Sequence, residues 1–188
     1  MGTPSSFPPV TPLVAMLAAE PAHFQAAKPA LEELFGPVEL ESELYPFEKT
    51  KYYTDTMGQA LKRQFFTFQR LADPGELAAW KLTANALEEE LKSKLAPAGV
   101  PARPINLDPG YLTGSKLVLA STKTFAHRLY LRDGIFAEIT MNFRASKWLS
   151  HQFTFPDFKS GMYDDFLNRA RDRHLRKIRN AGGKNTDD

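Results

Sequence analysis

The sequence predicts a single α+β domain, and three observations carry that prediction. Apolar residues alternate in several short runs and recur at helical spacing in three longer ones. The strand-like runs are too seldom separated by helices for a doubly wound parallel sheet. At 188 residues the chain suits one domain with a sizeable core, and its fourteen phenylalanines give that core aromatic bulk. The expected organisation is one domain over 1–188, with residues 1–11 a flexible arm and 180–188 a frayed tail.

The elements can be justified in order. "PLVAMLAA" (12–19) is a continuous apolar run, consistent with a buried strand. In the helix that follows, Pro21 suits the first turn, Phe24, Ala27, Leu31 and Leu34 share a face, and Gly36 is placed to stop it. Pro29 implies a kink or a late start. "VELESELY" alternates as a strand with one wet face, while "PFEKTKYYTDTMGQA" (46–60) has no period and is long for a loop. The aromatic "LKRQFFTFQRL" is a strand. The clearest helix comes next, with Asp73 as N-cap, Pro74 in the first turn, Glu76 completing a capping box, and Leu77, Trp80, Ala84, Leu87, Leu91 and Leu95 in one stripe. After the Pro-rich "APAGVPARP" come four strand-like runs: "INLD", "KLVLAS", "HRLYL" and "IFAEITMNF". Asp133-Gly134 is a two-residue reversal between the last two. A final helix follows Ser160, its apolar side marked by Met162, Phe166, Ala170, His174 and Ile178. The first six elements have the β-α-β-β-α-β order of the split, ferredoxin-like arrangement, extended here by an antiparallel hairpin and a C-terminal helix.

Composition removes whole classes of chemistry. The chain has no cysteine, which excludes disulfides, thiolate metal sites, iron–sulfur clusters and cysteine nucleophiles. No apolar run approaches ~18 residues, and the start lacks a secretory layout, so the expectation is a cytoplasmic protein that does not enter a membrane. Net charge is +2, but Arg169, Arg171, Arg173, Arg176, Lys177 and Arg179 concentrate the basic charge in the last helix, leaving a mildly acidic body. That is not the broad basic face of a dedicated DNA binder, although one end suits an anionic partner. H-E-x-x-H, G-x-S-x-G and G-x-G-x-x-G are absent, and His23, His127, His151 and His174 are scattered singly, so no metal ligand set is assigned.

The stretch "NLDPGYLTGSKLVLASTK" raises the question of a phosphate cradle. A Walker A loop needs G-x-x-x-x-G-K-[ST] leading into a helix; here Gly110 and Gly114 are too close, Lys116 comes late and begins a strand, and no N-K-x-D follows. Either Pro109-Gly110 and Gly114 make turns around a strand end, or the segment offers a diffuse anion site through Lys116, Lys123 and backbone N–H groups. Counting back from Asp133-Gly134 pairs Arg132 with Ile135, Leu129 with Glu138 and His127 with Thr140. That register puts His127, Glu138 and Thr140 on one face and Arg128, Tyr130 and Arg132 on the other. A histidine within diagonal reach of a glutamate is either an acid–base pair or a structural pair that satisfies itself, since Leu129, Leu131 and Phe136 share its face. Lys81, Asn85 and Glu88 form a polar stripe on the long helix. Tyr52, Tyr53 and Asp55, with Arg63 beyond them, suit either phosphate or base stacking or plain loop anchoring.

The motifs "YPFEKTKYYTDTMG", "KLTANALE", "NLDPGYLTGSKLVLASTK", "HRLYLRDGIFAEITMNF" and "TFPDFKSGMYDDFLNRAR" together resemble the bacterial family known as domain of unknown function 4416, from about Pro12 to His174. Some members bear the label "GTP-binding protein", but the family brings no established activity to this chain; the resemblance implies that these motifs matter and assigns no residue a role.

The functional expectation is a protein that binds a phosphate-bearing ligand, a nucleotide or nucleic-acid fragment, without a P-loop, where the 46–63 loop approaches the 106–128 segment. Tyr52, Tyr53, Arg63, Asn106, Asp108, Lys116, Lys123 and Arg128 are the candidate ligand contacts, and His127 with Glu138 the candidate catalytic pair. The sequence does not say whether it is an enzyme, and it specifies no cofactor. The alternatives are a non-catalytic module that holds RNA or protein through a sheet edge or the basic C-terminal helix, and a metal-dependent hydrolase.

Overall fold

A computed structural model describes residues 7–47, 53–96, 98 and 101–182. In chain order the elements are β1 (Thr11–Ala18), α1 (Pro21–Phe35), β2 (Val38–Glu41), β3 (Tyr45–Pro46), α2 (Thr54–Met57), β4 (Lys62–Phe68), α3 (Leu77–Leu95), β5 (Ile105–Leu112), β6 (Lys116–Ser121), β7 (Leu129–Arg132), β8 (Ile135–Arg144), β9 (Lys147–Ser150) and α4 (Asp164–Asn180). Among the described residues, nine strands form one sheet in the order β2-β4-β1-β5-β6-β8-β7, with β3 on β4 and β9 on β8. Every pairing is antiparallel.

β1 lies inside the sheet, and all of its residues are buried because both faces are covered. Val14, Met16 and Ala18 pack with Phe24 and Leu31 of α1 and with Trp80 and Leu87 of α3. Leu13 and Ala15, on the opposite face, pack with Phe166, Leu167 and Ala170 of α4. The period of two divides one apolar run between two cores. In the second core Phe158 and Tyr163 meet Phe65 edge-on at 6.0 and 4.9 Å, and Phe166 stacks on it at 5.5 Å. Aromatic contacts of this kind contribute about 0.5–1.5 kcal/mol each beyond burial. They anchor the chain just before α4, where Asp157 lies.

Several elements differ from expectation, each for a local reason. Val10 bonds both ways with Ala72, at 2.8 and 2.9 Å, so the sheet takes in the end of the supposed arm. α1 runs unbroken through Pro29. The strand predicted over "VELESELY" breaks at Ser42, whose hydroxyl accepts from the N–H of Phe65 and donates to the carbonyl of Glu43. β9 has no counterpart in the sequence reading because Ala145 and Ser146 make its turn at φ 49 and 61°, without the glycine or asparagine that marks such reversals. Asp133 and Gly134, at φ 52 and 75°, make the expected tight turn.

The hairpin register differs as well. Arg132 pairs with Ile135, but Leu131 bulges, so Tyr130 faces Phe136 and Leu129 faces Ala137 rather than Glu138. His127 and Arg128 lie before β7, in a turn.

Candidate functional site

β5 pairs with β1 along its whole length, from Thr11↔Leu112 to Ala18↔Ile105. Its pairing with β6 covers only Gly110↔Leu119, Tyr111↔Val118 and Leu112↔Leu117. The point where that pairing stops is written in the "PG" dipeptide. Pro109 has no N–H to offer a ladder. At Gly110 a Cβ would stand 2.1 Å from the carbonyl oxygen of Val118 and 2.6 Å from Cδ2 of Leu119, so only glycine admits β6 at this distance. The turn expected at Pro109-Gly110 is therefore a point inside β5, and the hairpin turn falls at Thr113–Ser115. Beyond Gly110 the strands part, because Ala120 and Ser121 pair only with β8.

A cavity of about 350 Å³ opens in this split. Asn106 and Asp108 of β5 form one wall, Leu119 to Lys123 the other, Lys81 and Asn85 of α3 close one side, and Phe155 to Asp157 close the other. Leu107, deprived of a β6 partner, is served by α3 instead. Its carbonyl accepts from Lys81 Nζ at 2.6 Å, and its N–H donates to Glu88 Oε1 at 2.8 Å.

Three charge clusters surround the cavity. In the first, Lys81 also donates to Asp108 Oδ1 at 2.9 Å, Asn106 donates to Asp108 Oδ2 at 2.6 Å, and Arg103 grips Glu88 Oε2 through Nε and Nη2 at 2.8 and 2.6 Å. Burial pushes the Glu88 carboxyl above its ordinary range against the pull of Lys81 and Arg103. Burial also works on Asp108, but the Lys81 charge and the bonds from Lys81 and Asn106 prevail and hold its carboxyl below the usual range.

In the second cluster Asp157 Oδ2 accepts from Arg63 Nε and from the Tyr163 hydroxyl, both at 2.8 Å. Burial pushes that hydroxyl far above its ordinary titration range. In the third, Glu138 Oε2 accepts from Arg128 Nε at 2.7 Å and lies 3.1 Å from His127 Nε2, while Oε1 accepts from Thr140 at 3.3 Å. A second arm of Arg128 donates to the carbonyl of Lys123 at 2.9 Å, tying the turn after β6 to this cluster.

Arg63, Lys81, Glu88, Glu138 and Asp157 are the buried charged residues among those described, and all five belong to these clusters. Charged side chains are rarely buried at all. Here they concentrate around one cavity.

Of the sequence-selected residues, Tyr53, Asn106, Asp108, Lys123, Arg128 and Glu138 line the cavity. Tyr52 lies outside the described residues. Arg63 stands behind the wall on Asp157. Lys116 opens β6 at the far end of the strand, its ammonium 5.3 Å from the Phe7 ring, and does not reach the cavity. His127 meets Glu138 as expected, by a different route. The Leu131 bulge shifts the ladder, yet the turn before β7 carries His127 and Arg128 to the same carboxylate, where the unbulged register puts them on opposite faces. The sequence pattern does not point to Arg103, Asp157 or Tyr163. Asp157 lies in "TFPDFKSG", which has no hydrophobic period; the available clues are its place in a motif of the family resemblance and the turn-forming Pro156, Asp157 and Ser160 before α4.

A family model described as Domain of unknown function (DUF4416) matches residues 8–174. The chain belongs to that family. Every residue lining the cavity falls inside the DUF4416 match, as do the buried partners Arg63 and Glu88. No curated protein and no solved structure matches the chain. Among the described residues of this DUF4416 member, no group of three or more His, Asp or Glu is placed to hold a metal ion, and no helix is long and apolar enough to cross a membrane.

Proposed function

We propose that the split in the sheet binds a phosphate-bearing ligand, a nucleotide or a nucleic-acid fragment, without a P-loop. The observation that carries this reading is the convergence of Lys81, Arg103, Lys123 and Arg128 on one cavity whose acids are already engaged by basic partners. Glu138 accepts from Arg128 and so orients that guanidinium, whose planar fork suits a phosphate. Beside it, Ser121 Oγ accepts from the N–H of Lys123 at 3.1 Å, shaping a turn rich in hydroxyls. Phe47, Tyr53 and Phe155 supply apolar wall, and the volume falls within the ordinary range for small-molecule sites. In this reading His127 and Glu138 serve binding: the imidazole Nε2 is spent on the carboxylate and both carboxylate oxygens have partners, whereas a general base needs a free reach to its substrate. The β2-β4-β1-β5 order, with α1 and α3 packed on one face, supports reading the first half of the chain as the split, ferredoxin-like unit, with β6 to β9 added beside β5.

Thermal melts with a panel of nucleotides and inorganic phosphate test the reading. A ligand at a hundred times its Kd stabilises the folded state by about 2.7 kcal/mol. The expected result is a rise in Tm with at least one nucleotide, reduced in Lys123→Ala, an exposed position. No rise with any nucleotide in the parent protein overturns the proposal. A second reading, an RNA-holding module, is favoured by Arg169, Arg173 and Arg176, which are exposed on α4 and make no ion pair among the described residues. It predicts binding that weakens steeply with salt and survives Lys123→Ala.

A further inference from the structure

We propose that the ligand of this cavity is the phosphorylated end of a single-stranded oligonucleotide rather than a free mononucleotide, an inference that rests on the phosphate reading above. Its basis is an aromatic ladder at the rim that the cavity itself does not use. Phe125 and Phe153 are 55 and 49% exposed, a large apolar area to leave in water for two residues on loops. They are not stray. Their rings meet edge-on at 5.6 Å, His127 stacks against Phe153 at 5.6 Å and 29°, and Phe125 meets His127 edge-on at 5.5 Å.

The ladder is continuous with the proposed site. His127 shares Glu138 Oε2 with Arg128, which lines the cavity. Two residues beyond Phe153, Phe155 lines the cavity with its ring 6.0 Å from the Arg128 guanidinium. A chain leaving the cavity on the Arg128 side thus passes from a cationic wall onto exposed aromatic faces. Unpaired bases joined by phosphates fit that sequence of surfaces: cations follow the backbone, and any base stacks on an aromatic ring whatever its identity. A mononucleotide leaves the ladder bare, and a duplex keeps its bases stacked on one another.

The test compares Kd values for 5′-phosphorylated hexa-adenylate and adenosine 5′-monophosphate on the full chain, using parent, Phe125→Ala/Phe153→Ala and Phe125→Tyr/Phe153→Tyr proteins. Each lost base-stacking contact is expected to cost about tenfold in affinity. Hexa-adenylate should bind the parent at least tenfold more tightly than the monophosphate. The alanine pair should close that gap by weakening hexa-adenylate alone, and the tyrosine pair, which keeps the rings, should preserve it. Equal affinities in the parent, or a gap that persists in the alanine pair, overturn the inference while leaving the phosphate reading intact. Failure of both ligands and of the nucleotide panel to bind the parent overturns the two together.

Discussion

From Gly110 to Leu112 strand β5 is paired on both sides, to β1 and to β6; from Ile105 to Pro109 it is paired to β1 alone. The doubly paired part is closed by backbone, and its tightness is set by the absence of a side chain at Gly110. The singly paired part is closed by side chains: Lys81 and Glu88 take the carbonyl and N–H of Leu107, and around them gather the buried charges found among the described residues. The difference teaches how an antiparallel sheet can make a polar cavity without a long loop. Once two strands part, their unpaired backbone groups must be met by polar side chains. Those side chains bring charges that need partners, and the partners line the gap.

The largest effect should come from breaking a buried pair on the open side. Asp157→Ala strips Arg63 and Tyr163 of their common acceptor, with side-chain exposures of only 4 and 2% across the Arg63–Asp157 ion pair. Chemical denaturation should show a loss of about 3–5 kcal/mol, and replacing both partners as Arg63→Met/Asp157→Leu should recover much of it. If the single and double variants are equally unstable, the pair is not the unit that matters.

Next comes the closed side. Gly110→Ala drives a methyl into the backbone of Val118 and should cost about 1–3 kcal/mol, and near-neutral stability would show that β6 can move away freely. A smaller effect, and one that depends on pH, belongs to Asp108. Its carboxyl is held below the usual range, so its ion pair contributes fully above the unfolded carboxylate value of about 3.9 and is lost as pH falls through the folded value. Asp108→Asn should therefore cost about 1 kcal/mol near neutral pH, with the gap from the parent narrowing below about pH 4. A gap that stays unchanged well below that pH would remove the ionised pair from the account. The smallest effect is expected far from the split, where exposed Arg173→Ala should change stability by no more than about 0.5 kcal/mol.

Much of the fold was legible without coordinates. The continuous apolar run of β1, the Asp73 cap before α3 and the Asp133-Gly134 reversal each come from local chemistry that a short window reveals, and each is present. The capping box expected at Glu76 is not, because Glu76 makes no side-chain capping bond. The site was legible in part. Asn106, Asp108, Lys123 and Arg128 stand out as polar residues bordering apolar strands, and they do converge. Arg103 and Asp157 could not be found in this way, because neither sits in a periodic segment and their partners, Glu88 and Arg63, are distant in sequence. His127 and Glu138 met although their predicted register was displaced. A turn residue is not bound by the strict alternation that a bulge inverts, so two consecutive side chains could turn to the same carboxylate.

The amino-acid order alone determined the class of fold, the family, the tight reversal between β7 and β8, and the exclusion of cysteine chemistry. These depend on interactions within a few residues or on composition. Only the tertiary structure decided that Pro109-Gly110 ends a strand pairing instead of making a turn, and that Lys81 reaches the backbone of β5 rather than water. It also decided that the buried charges meet at one gap. Such outcomes depend on how closely two separately folded segments approach, a distance that packing sets and no single segment encodes.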